Sequence, residues 1–130
     1  MFTFATYKIV HLLGVFLLFL SMGNLLGHAA NGGDKQSNKL RGMSMAFHGS
    51  SLVLLLVAGF GMLAKGGISF GGNPWIHIKL TIWLIMGALV VIPGRFPQLA
   101  RPVFLVMPVL GLISAWLAIA KPFAAAVVSP

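Results

Sequence analysis

Four long apolar segments alternate with short polar segments along this 130-residue chain. The apolar segments run from about Thr6 to Ala30, Gly42 to Ala64, Trp75 to Ile92 and Pro102 to Ala120. Each falls within the roughly 17 to 25 residues that a helix needs to cross a bilayer. The segments between them are rich in Gly, Pro, Asn or charge, which is typical of turns.

This pattern predicts an all-α protein, an integral membrane four-helix bundle that occupies residues 1–130 as a single transmembrane domain. Backbone groups in lipid must be hydrogen-bonded within the protein, and a helix achieves this within one segment. The alternation of apolar and polar residues expected of membrane barrel strands is not visible. Because the connecting segments are short, neighbouring helices should be antiparallel, in up-down-up-down order.

Composition and charge support the membrane prediction. The chain is 58% hydrophobic and 8% charged, with a mean hydropathy of +0.99, whereas about a quarter of the residues of a soluble domain are charged. The net charge of +8 is scattered between apolar runs, so no basic face is available for nucleic acid. Lipid headgroups are the expected partner of these basic residues. The absence of cysteine excludes disulfides and thiolate metal sites.

The basic residues give a weak prediction of orientation. The first and third connecting segments carry five of them, and the opposite side carries four: Lys35, Lys39, Arg41, Arg95 and Arg101, then Lys8, Lys65, Lys79 and Lys121. The positive-inside rule then places both termini outside the cytoplasm. An alternative is that the first segment is a signal peptide cleaved at GHAANG, which would remove His11 and His28.

Basic residues at one end of the bundle have no acidic partner. His11 and His77 come early in the first and third segments, on the same side of the membrane as Lys8 and Lys79. One interpretation is that the two lysine side chains reach back to the headgroups. The other is that they hold an external anion, such as a lipid phosphate or a cofactor carboxylate.

His28 and His48 lie near the opposite side of the membrane. Polar residues at helical spacing form one face on each of the first two helices: Ser21, Asn24 and His28, then Ser44, His48 and Ser51. If these faces point inward, His28 and His48 could bind one haem b iron from two helices. Arg41 and Lys39 would then pair with the propionates. The alternative is that each histidine hydrogen-bonds to a serine or carbonyl of the next helix.

Small residues at four-residue spacing predict close helix contacts. Gly23 and Gly27 form a GxxxG pair in the first segment, and Gly111 and Ala115 form a similar pair in the fourth. Packing within this bundle is favoured over a dedicated dimerisation face.

Three stretches resemble a group of small four-span membrane proteins. FHGSSLVLLLVAGFGML resembles the histidine–polar–LLL–glycine pattern of the SirB family. WIHIKLTIWLIMG is similar to a W-x-x-x-K-L run, followed by an apolar stretch and a glycine, that SirB and HemJ proteins share. YKIVHLL resembles the start of the first HemJ helix. The wider group includes the membrane domain of copper-resistance D proteins.

The sequence supports two hypotheses about function. The first hypothesis is a bacterial inner-membrane protein of SirB type that acts as a non-catalytic subunit or accessory of a larger membrane complex, or as a homo-oligomer. It rests on the lack of a complete catalytic constellation in the sequence and on the glycine-rich helix faces. The HemJ resemblance implies haem b and protoporphyrinogen oxidation, with His11 as haem ligand or catalytic group and Lys79 as its partner. The chain departs from HemJ proteins where it reads GNLLGHAANGG and MGALVVI. A haem b electron carrier that exchanges electrons with quinone is therefore the second hypothesis.

Overall fold

The computed structural model describes residues 2–124, and these residues form helices and turns with no strand. The elements are α1 (Phe4–Ala30), α2 (Arg41–Lys65), α3 (Pro74–Ala88), α4 (Ile92–Arg95) and α5 (Ala100–Ala120), with 3₁₀ turns at Leu89–Val91 and Pro97–Leu99. Four continuous helical stretches are long and apolar enough to cross a membrane: Phe4–Ala30, Arg41–Lys65, Pro74–Arg95 and Pro97–Ala120. The all-α prediction is confirmed for this part of the chain.

The helix ends agree with local sequence signals. At the start of α1, the Thr3 hydroxyl accepts a hydrogen bond from the Thr6 amide at 3.2 Å, as expected of an N-cap threonine. Gly32 follows the end of α1 with a φ of +82°, a conformation that glycine adopts without steric cost. Pro74 opens α3, where its missing amide hydrogen is not needed.

The third predicted segment is longer and less regular than its sequence suggested. α3 ends at Ala88, and a 3₁₀ turn leads into the short helix α4, which contains Pro93 and Gly94. Proline is tolerated in the first turn of a helix but not in its interior. α3 therefore ends before Pro93, a 3₁₀ turn follows, and α4 begins at Ile92 with Pro93 in its first turn. This change of geometry places the end of the segment against the end of α1.

α1 and α2 run antiparallel in a fixed register. Asn24 is hydrogen-bonded to Ser44, and His11 contacts the Leu55 carbonyl. A Cβ atom added to Gly14 would lie 3.0 Å from the Leu55 side chain. Earlier residues of α1 therefore pair with later residues of α2, which is the pattern of antiparallel helices.

α3 and α5 pack on this pair through a hydrogen bond, a glycine–phenylalanine contact and a shared apolar core. The Trp83 indole donates to the Leu52 carbonyl at 3.1 Å and joins α3 to α2. On α5, Gly111 lies against the Phe19 ring of α1, as the small-residue pattern predicted. The buried apolar residues form one cluster: Leu18, Met22, Leu25, Leu26, Ala29, Trp75, Ile76, Ile82, Met86, Ala100, Met107 and Leu117.

The other small-residue pair does not form a helix contact in the part of the chain that the structure describes. A Cβ atom added to Gly23 or Gly27 would meet nothing within 4 Å. The preferred interpretation of this pair as packing within the bundle is therefore not confirmed, because the face of α1 that carries it is left open.

Polar side chains are buried while large apolar side chains are exposed. The buried polar residues are Ser21, Ser44, His48 and Ser51. In contrast, Leu112 is 71% exposed and Ile119 is 83% exposed. Exposed leucine, isoleucine, valine or phenylalanine residues occur on all four long helical stretches. So many exposed large apolar side chains, on every long helical stretch, are unusual for a water-soluble protein.

Candidate functional site

His11 occupies a defined position between α1 and α2. Its Nδ1 atom lies 3.2 Å from the Leu55 carbonyl oxygen. A carbonyl can only accept a hydrogen bond, so Nδ1 carries the proton and donates. No other hydrogen bond of residues 2–124 involves the ring, which leaves the Nε2 lone pair available to a ligand. A histidine held in this way by a backbone carbonyl is a common arrangement for metal-binding imidazoles.

Lys79 lies on α3 at the same end of the bundle. Its side chain is half-buried. It comes one helical turn before Trp83, whose indole bonds the Leu52 carbonyl of α2, three residues from the Leu55 carbonyl that His11 contacts. The only acidic side chain in the whole sequence is Asp34, which follows the opposite end of α1, after roughly 28 Å of helix beyond His11. His11 and Lys79 therefore lie at one end of the bundle, and the single acidic side chain of the sequence, Asp34, lies at the other.

The other two groups predicted at this end are placed differently. The His77 Nε2 atom is 3.2 Å from the Phe70 carbonyl oxygen, and the imidazole lies 4.3 Å from the Phe70 ring, centroid to centroid. His77 thus interacts with the segment that precedes its own helix. Lys8 is exposed, as expected of a side chain that reaches the headgroups.

A line of polar side chains joins α1 to α2 further along the bundle. The Asn24 amide group donates to the Ser44 hydroxyl at 2.8 Å and to the Asn38 side-chain oxygen at 3.2 Å. Ser51 donates instead to the His48 carbonyl at 2.6 Å, within its own helix. The predicted polar faces of the two helices therefore do point inward.

His48 is the buried polar residue that has an unsatisfied atom. It is 4% exposed, and its Nε2 atom has no hydrogen-bond partner within residues 2–124. An unpaired polar atom inside a protein costs free energy, and ordered water or a ligand commonly satisfies it. This imidazole is therefore a second candidate for ligand binding.

His28 interacts with the loop that follows α1. Its Nε2 atom lies 2.8 Å from the Asp34 carbonyl oxygen and 2.9 Å from the Ser37 hydroxyl. A side chain at Gly33 would overlap the imidazole, so glycine is needed beside it. The prediction that a histidine pairs with a serine or carbonyl fits His28, although its partners are in the loop. It also fits His11, whose partner is on the next helix.

The register of α1 and α2 separates His28 from His48. With Asn24 opposite Ser44, His28 is level with position 40 of the chain and His48 is level with position 20. Eight residues of helix correspond to about 12 Å along the axis. The structure thus does not bring the two imidazoles to one level, where they could bind the same iron atom.

The loop between α1 and α2 is held by its own hydrogen bonds. The Asp34 carboxylate accepts from the Ser37 amide at 2.8 Å. This backbone hydrogen bond, together with one to the Ser37 side chain, holds the pKa of Asp34 below its ordinary value. The carboxylate therefore stays ionised and keeps the loop turned around Ser37.

A cavity of about 210 Å³ lies between this loop, the end of α1, the start of α2 and the turn into α4. Three cations line it: Lys35, Arg41 and Arg95. Sequence reasoning had named Arg41 as an anion-binding residue but had used Lys35 and Arg95 only to predict orientation. In the sequence, the cations of these two turns are visible as Lys35 in DKQS and Arg95 in PGR.

Residues 2–124 contain no group of three or more histidine, aspartate or glutamate side chains that could hold a metal ion. The SirB and HemJ resemblances remain predictions from short motifs. Comparisons of the chain with protein-family models, curated proteins and solved structures found no match.

Proposed function

We propose that this chain is an integral membrane protein whose four long helical stretches cross the bilayer in up-down-up-down order. The stretches contain 27, 25, 22 and 24 residues, and about 20 residues are sufficient to span the hydrocarbon core. The main support is the set of large apolar side chains exposed on all four stretches, while four polar side chains, Ser21, Ser44, His48 and Ser51, are buried with the apolar core. Lipid favours this distribution, whereas water would drive the exposed apolar surfaces to associate.

In the proposed orientation, the loop between α1 and α2 faces the cytoplasm. Because the chain has no native cysteine, Lys39→Cys and Lys65→Cys each introduce one thiol, at opposite ends of α2. In intact cells, a membrane-impermeant maleimide should label Lys65→Cys and leave Lys39→Cys unlabelled until the cells are lysed. The reverse result would invert the orientation, and labelling of both from outside would contradict the proposed span of α2.

The function that the geometry supports best is binding of an amphiphilic cofactor at His11 and Lys79. The observation that carries this proposal is an imidazole fixed through its Nδ1 atom at Leu55, with the half-buried Lys79 at the same end of the bundle, one turn before the Trp83 that bonds Leu52. Together they offer a ligating nitrogen and a positive charge in an apolar setting. A ring system with carboxylate or carbonyl oxygens matches this pair.

Haem b satisfies both requirements. His11 would hold the haem iron through its Nε2 atom and Lys79 would pair with a propionate, and the group would supply one-electron redox chemistry. His11 suits the haem iron because its Nδ1 atom donates to the Leu55 carbonyl. Its Nε2 atom therefore carries the lone pair that can bind a metal. Quinone is the alternative ligand, with Lys79 donating to a quinone oxygen.

A visible spectrum of protein expressed with ample haem tests the proposal. Soret and α bands are expected on reduction, and His11→Ala should remove them. His77→Ala is the matched control, because His77 is an exposed histidine at the same end that bonds its own loop. If no bands are found, extraction should recover quinone from the wild type and less from Lys79→Gln. Recovery of neither ligand would reject the proposal.

A second candidate is a non-catalytic accessory subunit of a larger membrane complex. One observation favours it: a Cβ atom added to Gly23 or Gly27 would meet nothing within 4 Å among residues 2–124, so there is space beside both glycines. A helix of a partner subunit could approach closely there. Purification in mild detergent should recover partner subunits with the wild type and lose them with Gly23→Leu. Recovery of an isolated monomer would count against this candidate.

A further inference from the structure

We propose that the basic cavity, defined by Lys35, Arg41 and Arg95, binds a phosphate group, carried either by an anionic phospholipid or by free phosphate. The cavity lies at the opposite end of α1 from His11 and Lys79, so it is separate from the proposed cofactor site. Only the lipid source of the phosphate depends on the proposed position in the membrane.

The three cations reach the cavity from three different elements. Lys35 belongs to the loop after α1, Arg41 is the first residue of α2, and Arg95 is the last residue of α4. No hydrogen bond among residues 2–124 uses any of these three side chains, so their donors are available. Guanidinium and ammonium groups are the usual phosphate-binding groups of proteins.

The size and position of the cavity suit an anion. Its volume of about 210 Å³ far exceeds the roughly 10–15 Å³ that one water molecule needs. α2 begins at this cavity, and no side chain caps its first turn. The amide groups at the start of a helix carry partial positive charge, which adds to the attraction of the three cations.

The one acidic residue does not neutralise the cavity. Asp34 also lines it, but its carboxylate accepts from the Ser37 amide within the loop. One carboxylate faces three cations, and the excess charge remains positive. In the proposed orientation this end of the bundle faces the cytoplasm, where the membrane surface carries anionic lipids.

Gly94 offers a way to move one cation without changing the charge. A Cβ atom at this position would lie 2.7 Å from Lys35 Cε and 3.1 Å from Lys35 Nζ. The clash involves only the end of a flexible side chain, so Gly94→Ala should fold normally and displace the ammonium group. A general effect of net charge would not respond to this substitution.

The test uses the full-length protein in an uncharged detergent, with binding followed by native mass spectrometry and by phosphorus NMR. The probes are dihexanoylphosphatidylglycerol, dihexanoylphosphatidylcholine and inorganic phosphate. Arg41→Gln, Arg95→Gln and Gly94→Ala should each weaken binding about tenfold, as expected for loss of a charge-assisted hydrogen bond. Arg101→Gln is the matched control, because Arg101 is an exposed arginine of the same end that does not line the cavity.

Each outcome bears on the proposal. Saturable binding of phosphatidylglycerol and of inorganic phosphate, weakened by the cavity variants, supports a site that accepts either source. Binding of phosphatidylglycerol alone assigns the site to lipid. Absence of saturable binding of both would overturn the proposal, as would an equal loss in Arg101→Gln or equal binding of phosphatidylcholine. Circular dichroism of every variant separates loss of binding from loss of folding.

Discussion

The hydrogen bond between Asn24 and Ser44 provides a quantitative test of how α1 and α2 are held together. The donor–acceptor distance is 2.8 Å, and Ser44 is 5% exposed. Asn24→Ala, Ser44→Ala and the double variant form a thermodynamic cycle that isolates the energy of this pair.

The expected coupling is about 1 kcal/mol. Polar bonds between helices in membranes contribute about 0.6 kcal/mol on average and at most about 1.7 kcal/mol, and this bond is short and partly buried. Asn24→Ala should cost more than Ser44→Ala, because Asn24 also donates to Asn38 at 3.2 Å. We therefore expect roughly 1.5–2 kcal/mol for Asn24→Ala from the two bonds together.

The assay is reversible unfolding in lipid–detergent micelles with increasing dodecyl sulfate, followed by circular dichroism. A second cycle pairs Asn24→Ala with Ser51→Ala as the control. Ser51 is also buried on α2, but its hydroxyl bonds the His48 carbonyl of its own helix, so this coupling should be below about 0.3 kcal/mol. If the coupling of Asn24 with Ser44 is no larger than this control, the register of the two helices is wrong.

Two further predictions concern packing and the loop. Gly111→Ala places a Cβ atom 2.6 Å from the Phe19 ring, and this overpacking should cost about 1–3 kcal/mol of unfolding free energy. The cost exceeds the roughly 0.5–1 kcal/mol that alanine gains over glycine in a helix, so the variant should be destabilised. Gly23→Ala is the control: its Cβ atom would meet nothing within 4 Å, so it should be neutral or stabilising by roughly 0.5–1 kcal/mol. If Gly111→Ala and Gly23→Ala have equal effects in the same unfolding assay, the packing of α5 on α1 is refuted. Since the pKa of Asp34 is lowered from its ordinary value of 3.8, its hydrogen bond to the Ser37 amide is present above that pH and is lost as the pH falls through the lower folded-state value. Hydrogen exchange should therefore show a protected Ser37 amide at neutral pH and an unprotected one in Asp34→Ala, and equal protection would contradict this role.

The sequence by itself determined the helices and the direction in which their polar faces point. Helix length and ends depend on neighbouring residues: the apolar runs, Thr3 before α1 and Pro74 at the start of α3. The helical period also placed Ser44 and His48 on one face. Each of these features depends on residues that are close together in the sequence, so it does not depend on which helices pack against one another.

The tertiary structure alone decided which polar groups meet. The register of α1 and α2 is the joint result of many contacts along both helices, and a shift of two turns would have placed His28 level with His48. The same register leaves His11 bonded to the Leu55 carbonyl. The basic cavity needs a loop, a helix start and a proline-induced turn from distant parts of the chain. Contacts of this kind depend on how the helices pack together, and packing is a property of the assembled bundle rather than of any one segment.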